Sequence, residues 1–151
     1  SDEALIRKKQ VISAALALHQ PDPNDPLDIL AKVGGLDVAG MAGCFLGAAH
    51  CKVPVVIDGF ISAAAALVAC RLNPWVREYM IPSHLSAEPG YVHIMRELGL
   101  EPMLHLNMRL GEGSGCPLAF GIIDAAIGVL NGMATFDEAM INRDYLVDIR
   151  T

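Results

Sequence analysis

The stretch RLGEGSGCPLA (109–119) sets one carboxylate, Glu112, between two glycines where an extended run gives way to a long apolar pattern. A Glu at such a junction is a solvated turn residue, a charge at a helix N-terminus, or a catalytic carboxylate. As a helix-end charge it would stabilise by ~0.3–1 kcal/mol. The same dipole would keep it ionised, which suits a general base and does not suit a general acid. The run Gly-Glu-Gly-Ser-Gly lacks the last glycine of a dinucleotide fingerprint, and no acidic residue ends a following strand.

Two further polar clusters carry candidate chemistry, Asp58-Gly59 and Ser83-His84-Leu85-Ser86. Asp58 reads as a strand-terminal turn residue or as the cap of a helix over 61–72. Ser86 reads as the N-cap of a helix over 87–98, with Glu88 in its first turn. A helix N-terminus also receives phosphate, so capping and ligand binding are compatible. Lys8 sits within a helical pattern and could meet a phosphate only if a strand edge lies nearby. The five histidines share no metal-ligand spacing and are read as structural or exposed. No Ser/His/Asp order or nucleophile elbow is present. The spacing points to no metal site.

Such residues work together only if the chain gathers them. The run VPVVIDG (53–59) is short, β-branched and apolar, and it ends in Asp-Gly. YMIPSHLS (79–86) and EPMLHLNMRLGEG (101–113) are expected to hold a second and a third strand. Helices are expected over 1–18 (capped by Ser1 or Asp2), 26–33, 37–51, 61–72, 87–100 and 114–134, with a further turn or two over 135–141. HQPDPNDP (19–26) breaks the first helix with its prolines, Gly34-Gly35 ends the second, and Gly99 closes the one over 87–100. The small residues of 37–51 are expected to allow close helix–sheet packing. Helices alternating with strands are the pattern of an α/β parallel sheet flanked by helices, Rossmann-like but partial. In open sheets of this kind ligands bind outside the carboxyl ends of the strands. Parallel strands would therefore bring all three polar clusters to one edge.

Composition narrows the partners. The chain has 151 residues, 53% of them hydrophobic, so a real core is available. No stretch approaches the roughly 18–20 uninterrupted apolar residues of a membrane span; the nearest, 53–70, is split by Asp58 and Gly59. The net charge is −6 and no Lys/Arg stripe exists, which argues against nucleic-acid binding. Cys44, Cys51, Cys70 and Cys116 have no zinc-like or CxxC spacing and read as small buried thiols of a reducing compartment, the cytoplasm.

The runs VPVVIDGF (53–60), IPSHLSAE (81–88), LGLEP (98–102) and MRLGEGSG (108–115) together resemble the C-terminal portion of the nicotinate-nucleotide–dimethylbenzimidazole phosphoribosyltransferases. The resemblance extends back through HQPDPNDPLDILAKVGGLD (19–37) and the helix bearing Lys8, and so covers essentially all of the chain. It implies the C-terminal portion of an α/β phosphoribosyltransferase, with 114–151 a long helix and helical tail contributing to a small helical domain. It also implies a homodimer acting on two small molecules, nicotinate mononucleotide and a benzimidazole base, with no cofactor. By the resemblance Glu112 is the catalytic base and Lys8 and Ser86 contact the substrate phosphate. Leu110 packs against the benzimidazole, and Asp58 and Gly59 lie at the ribose/nicotinate side. The family's N-terminal half, with a Gly-rich phosphate loop, is absent from these residues, so the isolated chain is expected to be inactive. The alternative is a non-catalytic relative that binds benzimidazole or dimerises.

Overall fold

The computed structural model describes residues 2–142 and Val147; Ser1 and the last part of the expected helical tail lie outside them. In chain order the elements are α1 (Asp2–His19), α2 (Pro26–Val33), α3 (Leu36–His50), β1 (Val55–Ile57) and α4 (Phe60–Leu72). A 3₁₀ helix (Pro74–Tyr79), β2 (Met80–Pro82), α5 (Pro89–Leu98) and α6 (Cys116–Gly132) follow. The chain divides into two compact units, residues 1–119 and 120–151. No helix among the described residues is long and apolar enough to cross a membrane.

Local chemistry sets the boundaries. Asp25 caps α2 by accepting the Leu27 and Asp28 N–H groups at 2.9 and 3.2 Å, with Pro26 in the first turn where no N–H is needed. Gly99 ends α5 in the left-handed region (φ +63), and the Leu100 N–H returns to the Met95 carbonyl at 3.0 Å. In the second unit Thr135 and Glu138 form a reciprocal capping box. The Glu138 carboxylate accepts the Thr135 N–H at 2.8 Å, and the Thr135 hydroxyl accepts the Glu138 N–H at 3.2 Å. The Thr135 N–H, and then its hydroxyl, both donating to the Glu138 carboxylate, hold that carboxyl below its ordinary pKa. Residues 136–140 form hydrogen-bonded turns, not a regular helix.

The core of the first unit is built on α4, whose Ala63, Ala65, Ala66 and Ala69 are fully buried. Alanines on that helix let α3 and α5 pack closely against it. Phe45 and Ala42 of α3, Tyr91, Met95 and Leu98 of α5, and Ile57 of β1 close around it. Because α3 turns Ala42 and Phe45 inward, its opposite side faces out. Cys44 and Cys51 are exposed there, contrary to the expectation of buried thiols, and all four cysteines are free. Among the described residues a Cβ at Gly40, Gly43 or Gly47 would touch nothing, so these glycines do not serve the close packing expected of them.

The sheet is parallel, with Val55, Val56 and Ile57 opposite Met80, Ile81 and Pro82. It is shorter than the sequence pattern implies. The segment expected as a third strand contributes one parallel bridge, His84 to Leu104. Hydrogen bonds from Leu104 N–H to the Ser83 carbonyl (3.0 Å) and from Leu85 N–H to the Leu104 carbonyl (2.8 Å) frame it. A longer ladder fails for a local reason. Pro82 and Pro102 have no N–H to give, and Asn107 turns into the left-handed region at φ +53.

Tyr91 is fully buried, yet among the described residues its hydroxyl has no hydrogen-bond partner. Burial, with a smaller push from the negative charge of Asp58, raises its pKa from 10.0 to about 12. A raised acid pKa means that native stability is intact below pH 10.0 and falls as pH rises toward about 12. Tyr91→Phe is expected to keep or raise neutral-pH stability, by up to about 1 kcal/mol, and to flatten that alkaline loss. Urea unfolding from pH 7 to 11 reads both; a destabilised Phe variant would mean that the hydroxyl has a partner.

Candidate functional site

Polar residues follow both strands, Asp58 after β1 and Ser83 after β2, and the parallel register places those ends side by side. At the end of β1, Gly59 forms the N-cap of α4. The Asp58 N–H donates to the Ser62 hydroxyl at 3.1 Å, and that hydroxyl donates to the Gly59 carbonyl at 2.9 Å. The first turn of α4 is thus closed without the Asp58 carboxylate. Asp58 is 9% exposed, and its carboxylate reaches across to a different segment. Its Oδ1 accepts the Gly115 N–H at 2.7 Å and its Oδ2 the Gly113 N–H at 3.1 Å. The expectation that Asp58 caps the following helix is corrected by this geometry.

The continuation of β2 supplies the wall. Ser83 and His84 are buried. The Ser83 hydroxyl donates to the Asp58 main-chain carbonyl at 3.3 Å and lies 3.0 Å from His84 Nδ1. Which of the two groups donates in that pair is set by the His84 tautomer. The same nitrogen lies 3.8 Å from Asp58 Oδ1. Ser86 is buried, and its hydroxyl accepts the Glu88 N–H at 3.3 Å. It is not the N-cap expected of it, since α5 begins at Pro89 and takes Glu88 as its cap residue. A Cβ on Gly59 would stand 3.9 Å from the Ser86 hydroxyl, so these two residues are neighbours across the strand ends.

The 111–115 turn closes the site. Gly111, Glu112 and Gly113 are all left-handed, with φ of +73, +55 and +74. Glycine adopts that conformation freely, whereas a glutamate there carries a strain of ~1–2 kcal/mol. Glu112 is exposed, and α6 begins four residues later at Cys116. It therefore lies outside the first helical turn, where a dipole acts most strongly. Gly115 is required for a different reason. A Cβ there would overlap His84 Nδ1 and the Ser83 hydroxyl.

The structure thus brings Asp58, Gly59, Ser86 and the Glu112 turn to one edge. Leu110, 75% exposed, precedes that turn. Lys8 is exposed on α1, and among the described residues no hydrogen bond or ion pair ties it to this edge. The sequence marked Ser83, His84, Gly113 and Gly115 only as members of polar clusters. That Asp58 would take two amides 55 and 57 residues away leaves no trace in local spacing. Burial raises the pKa of the neighbouring Cys116 thiol, and the Asp58 charge adds to it.

Comparison with known proteins agrees with this architecture. A family model described as phosphoribosyltransferase matches residues 1–141. The nicotinate-nucleotide–dimethylbenzimidazole phosphoribosyltransferase of Acetivibrio thermocellus is 54% identical over 143 residues, 95% of this chain and 41% of the relative. That of Clostridium acetobutylicum is 58% identical over 139 residues, 92% of this chain and 40% of the relative. A crystal structure of the Thermus thermophilus enzyme of the same name superposes with a TM-score of 0.84 at 42% identity. That superposition covers 93% of this chain and 42% of the other. The chain therefore spans about two-fifths of the length of the relatives it matches. With profile, sequence and fold in agreement, the chain belongs to the nicotinate-nucleotide–dimethylbenzimidazole phosphoribosyltransferase family.

Proposed function

We propose that this chain is the base-bearing portion of an enzyme that transfers the phosphoribosyl group of nicotinate mononucleotide to 5,6-dimethylbenzimidazole. The products are α-ribazole 5′-phosphate and nicotinate, the former a precursor of the lower ligand of cobalamin. The observation that carries the reading is the seating of the Glu112 turn, through Asp58, beside Gly59 and Ser86.

One benzimidazole nitrogen attacks C1′ with its lone pair while the C1′–nicotinate bond breaks, its electrons passing to the nicotinate ring nitrogen. Attack opposite the leaving group turns a β-nucleotide into an α-riboside. The attacking ring gains positive charge, so its other N–H becomes acidic. The Glu112 carboxylate takes that proton and stabilises the developing charge. An exposed carboxylate suits this role only once the base and the rest of the enzyme cover it. Leu110, exposed next to the turn, offers the apolar contact for the benzimidazole face. Ser86 and Lys8 are assigned to the phosphate and Gly59 to the ribose/nicotinate side, while Asp58, whose carboxylate oxygens are taken by the Gly113 and Gly115 amides, is assigned no substrate contact. No cofactor enters this chemistry. A cytoplasmic homodimer belongs to the same reading.

The test compares this chain with an enzyme carrying it at full family length, each mixed with both substrates. The long form is expected to release nicotinate and α-ribazole 5′-phosphate, and the isolated chain neither. Turnover by the isolated chain would refute the assignment of a half-site. A long form that binds dimethylbenzimidazole in calorimetry yet forms no product would make the protein a binding module.

A further inference from the structure

A glycine-rich turn ahead of a helix can form an anion-binding concavity of main-chain amides. Here that concavity already holds an anion. The Gly113 and Gly115 amides both donate to the Asp58 carboxylate, at 3.1 and 2.7 Å. Hydrogen bonds to an ionised acceptor are roughly twice as strong as neutral ones. Asp58 is itself held from behind, since its carbonyl accepts the Ser83 hydroxyl and its N–H meets Ser62.

We propose that Asp58 is a positioning residue for Glu112: its carboxylate is the internal anion that seats the 111–115 turn on the sheet edge, and the turn's amides are not a substrate-phosphate cradle. The proposal rests on the reading of Glu112 as the base. Glu112 is the residue immediately before Gly113, so freeing that amide releases the carboxylate directly. The Gly115 contact fixes the other end of the turn against His84 and Ser83. The negative charge of Asp58 also reaches Tyr91 and Cys116, where it adds to burial in opposing their ionisation.

The experiment places Asp58→Ala, Asp58→Asn, Glu112→Gln and the Asp58→Ala/Glu112→Gln double variant in the full-length enzyme. Asp58→Ala is expected to lower kcat by ~10²-fold, the loss typical of a misplaced reacting group, with both KM values unchanged. Asp58→Asn, which keeps one carbonyl oxygen, falls between. The double variant is expected to be no slower than Glu112→Gln alone, because the two residues act as a unit. A raised KM for nicotinate mononucleotide at unchanged kcat would make Asp58 a substrate contact and overturn the proposal. Multiplicative losses in the double variant would overturn it as well.

Amide hydrogen exchange separates this outcome from failure of the functional reading. In Asp58→Ala the Gly113 and Gly115 amides are expected to lose protection while Ala66 and Met95 keep theirs. Added inorganic phosphate is expected to leave the wild-type Gly113 and Gly115 amides unshifted. Equal protection at all four positions, or loss at all four, would remove Asp58 as a local anchor even if Glu112→Gln proved inactive. Wild-type turnover by Glu112→Gln would instead refute the base assignment, with the exchange result still reporting on the anchor.

Discussion

Glu112→Gln in the full-length enzyme is expected to lower kcat by about 10³-fold, within the 10²–10⁴ range that a positioned acid or base contributes. The substitution keeps the side-chain volume and one carbonyl oxygen, and it removes the site that accepts the proton. Stability should not change. Glu112 is exposed, and among the described residues it has no hydrogen bond or ion pair to lose. KM for each substrate should hold, since the proton moves only as the new C–N bond forms. Steady-state kinetics with a denaturation midpoint measured in parallel separates this from misfolding. Normal turnover by a folded Gln variant would take Glu112 out of the mechanism.

The second large effect is expected at Gly115. A methyl group there has no room against two buried neighbours, His84 Nδ1 and the Ser83 hydroxyl. Gly115→Ala must push the turn off the sheet edge or displace His84. Overpacking of this kind costs ~1–3 kcal/mol, and lifting the turn also breaks the 2.7 Å bond to Asp58. Gly113→Ala provides the contrast. Its Cβ would meet nothing, but φ is +74, so its cost is the conformational one of ~1–2 kcal/mol. Gly115→Ala should therefore lose stability and turnover together, while nearby Gly121→Ala, whose Cβ also meets nothing, should lose little stability. A thermal scan and an activity assay on each variant check the order. A fully active, fully stable Gly115→Ala would mean that the turn is not held as closely as described.

Much of the helical framework was legible from capping and breaking residues alone. The start of α2 at 26, after the proline-rich break, and the end of α5 at Gly99 both agree with the structure to within a residue. The parallel sheet was legible from β-branched runs that end in polar pairs. Its extent was not. Alternation over 101–113 looked like a strand, but the prolines at 82 and 102 and the left-handed Asn107 reduce it to one bridge. Side-chain patterns describe faces, while ladder length is decided by which N–H groups exist and where they point. The site was legible as three clusters on one edge and not as a network. Asp58 looked local because capping is the commonest fate of an Asp before a helix. Its real partners lie across the fold, and only the three-dimensional chain brings them within reach. The cysteines misled through neighbourhood. Alanine-rich surroundings suggested burial, yet the face of α3 that carries Cys44 points outward.

The central claim is that the pinned turn presents Glu112 to the attacking heterocycle. A crystal structure of the full-length enzyme with 5,6-dimethylbenzimidazole measures it directly. A Glu112 carboxylate oxygen is expected within hydrogen-bond reach, about 2.6–3.2 Å, of a ring nitrogen. The Gly113 and Gly115 amides should still be on Asp58. A bound base whose nitrogens face another group, with Glu112 turned to bulk solvent, would contradict it.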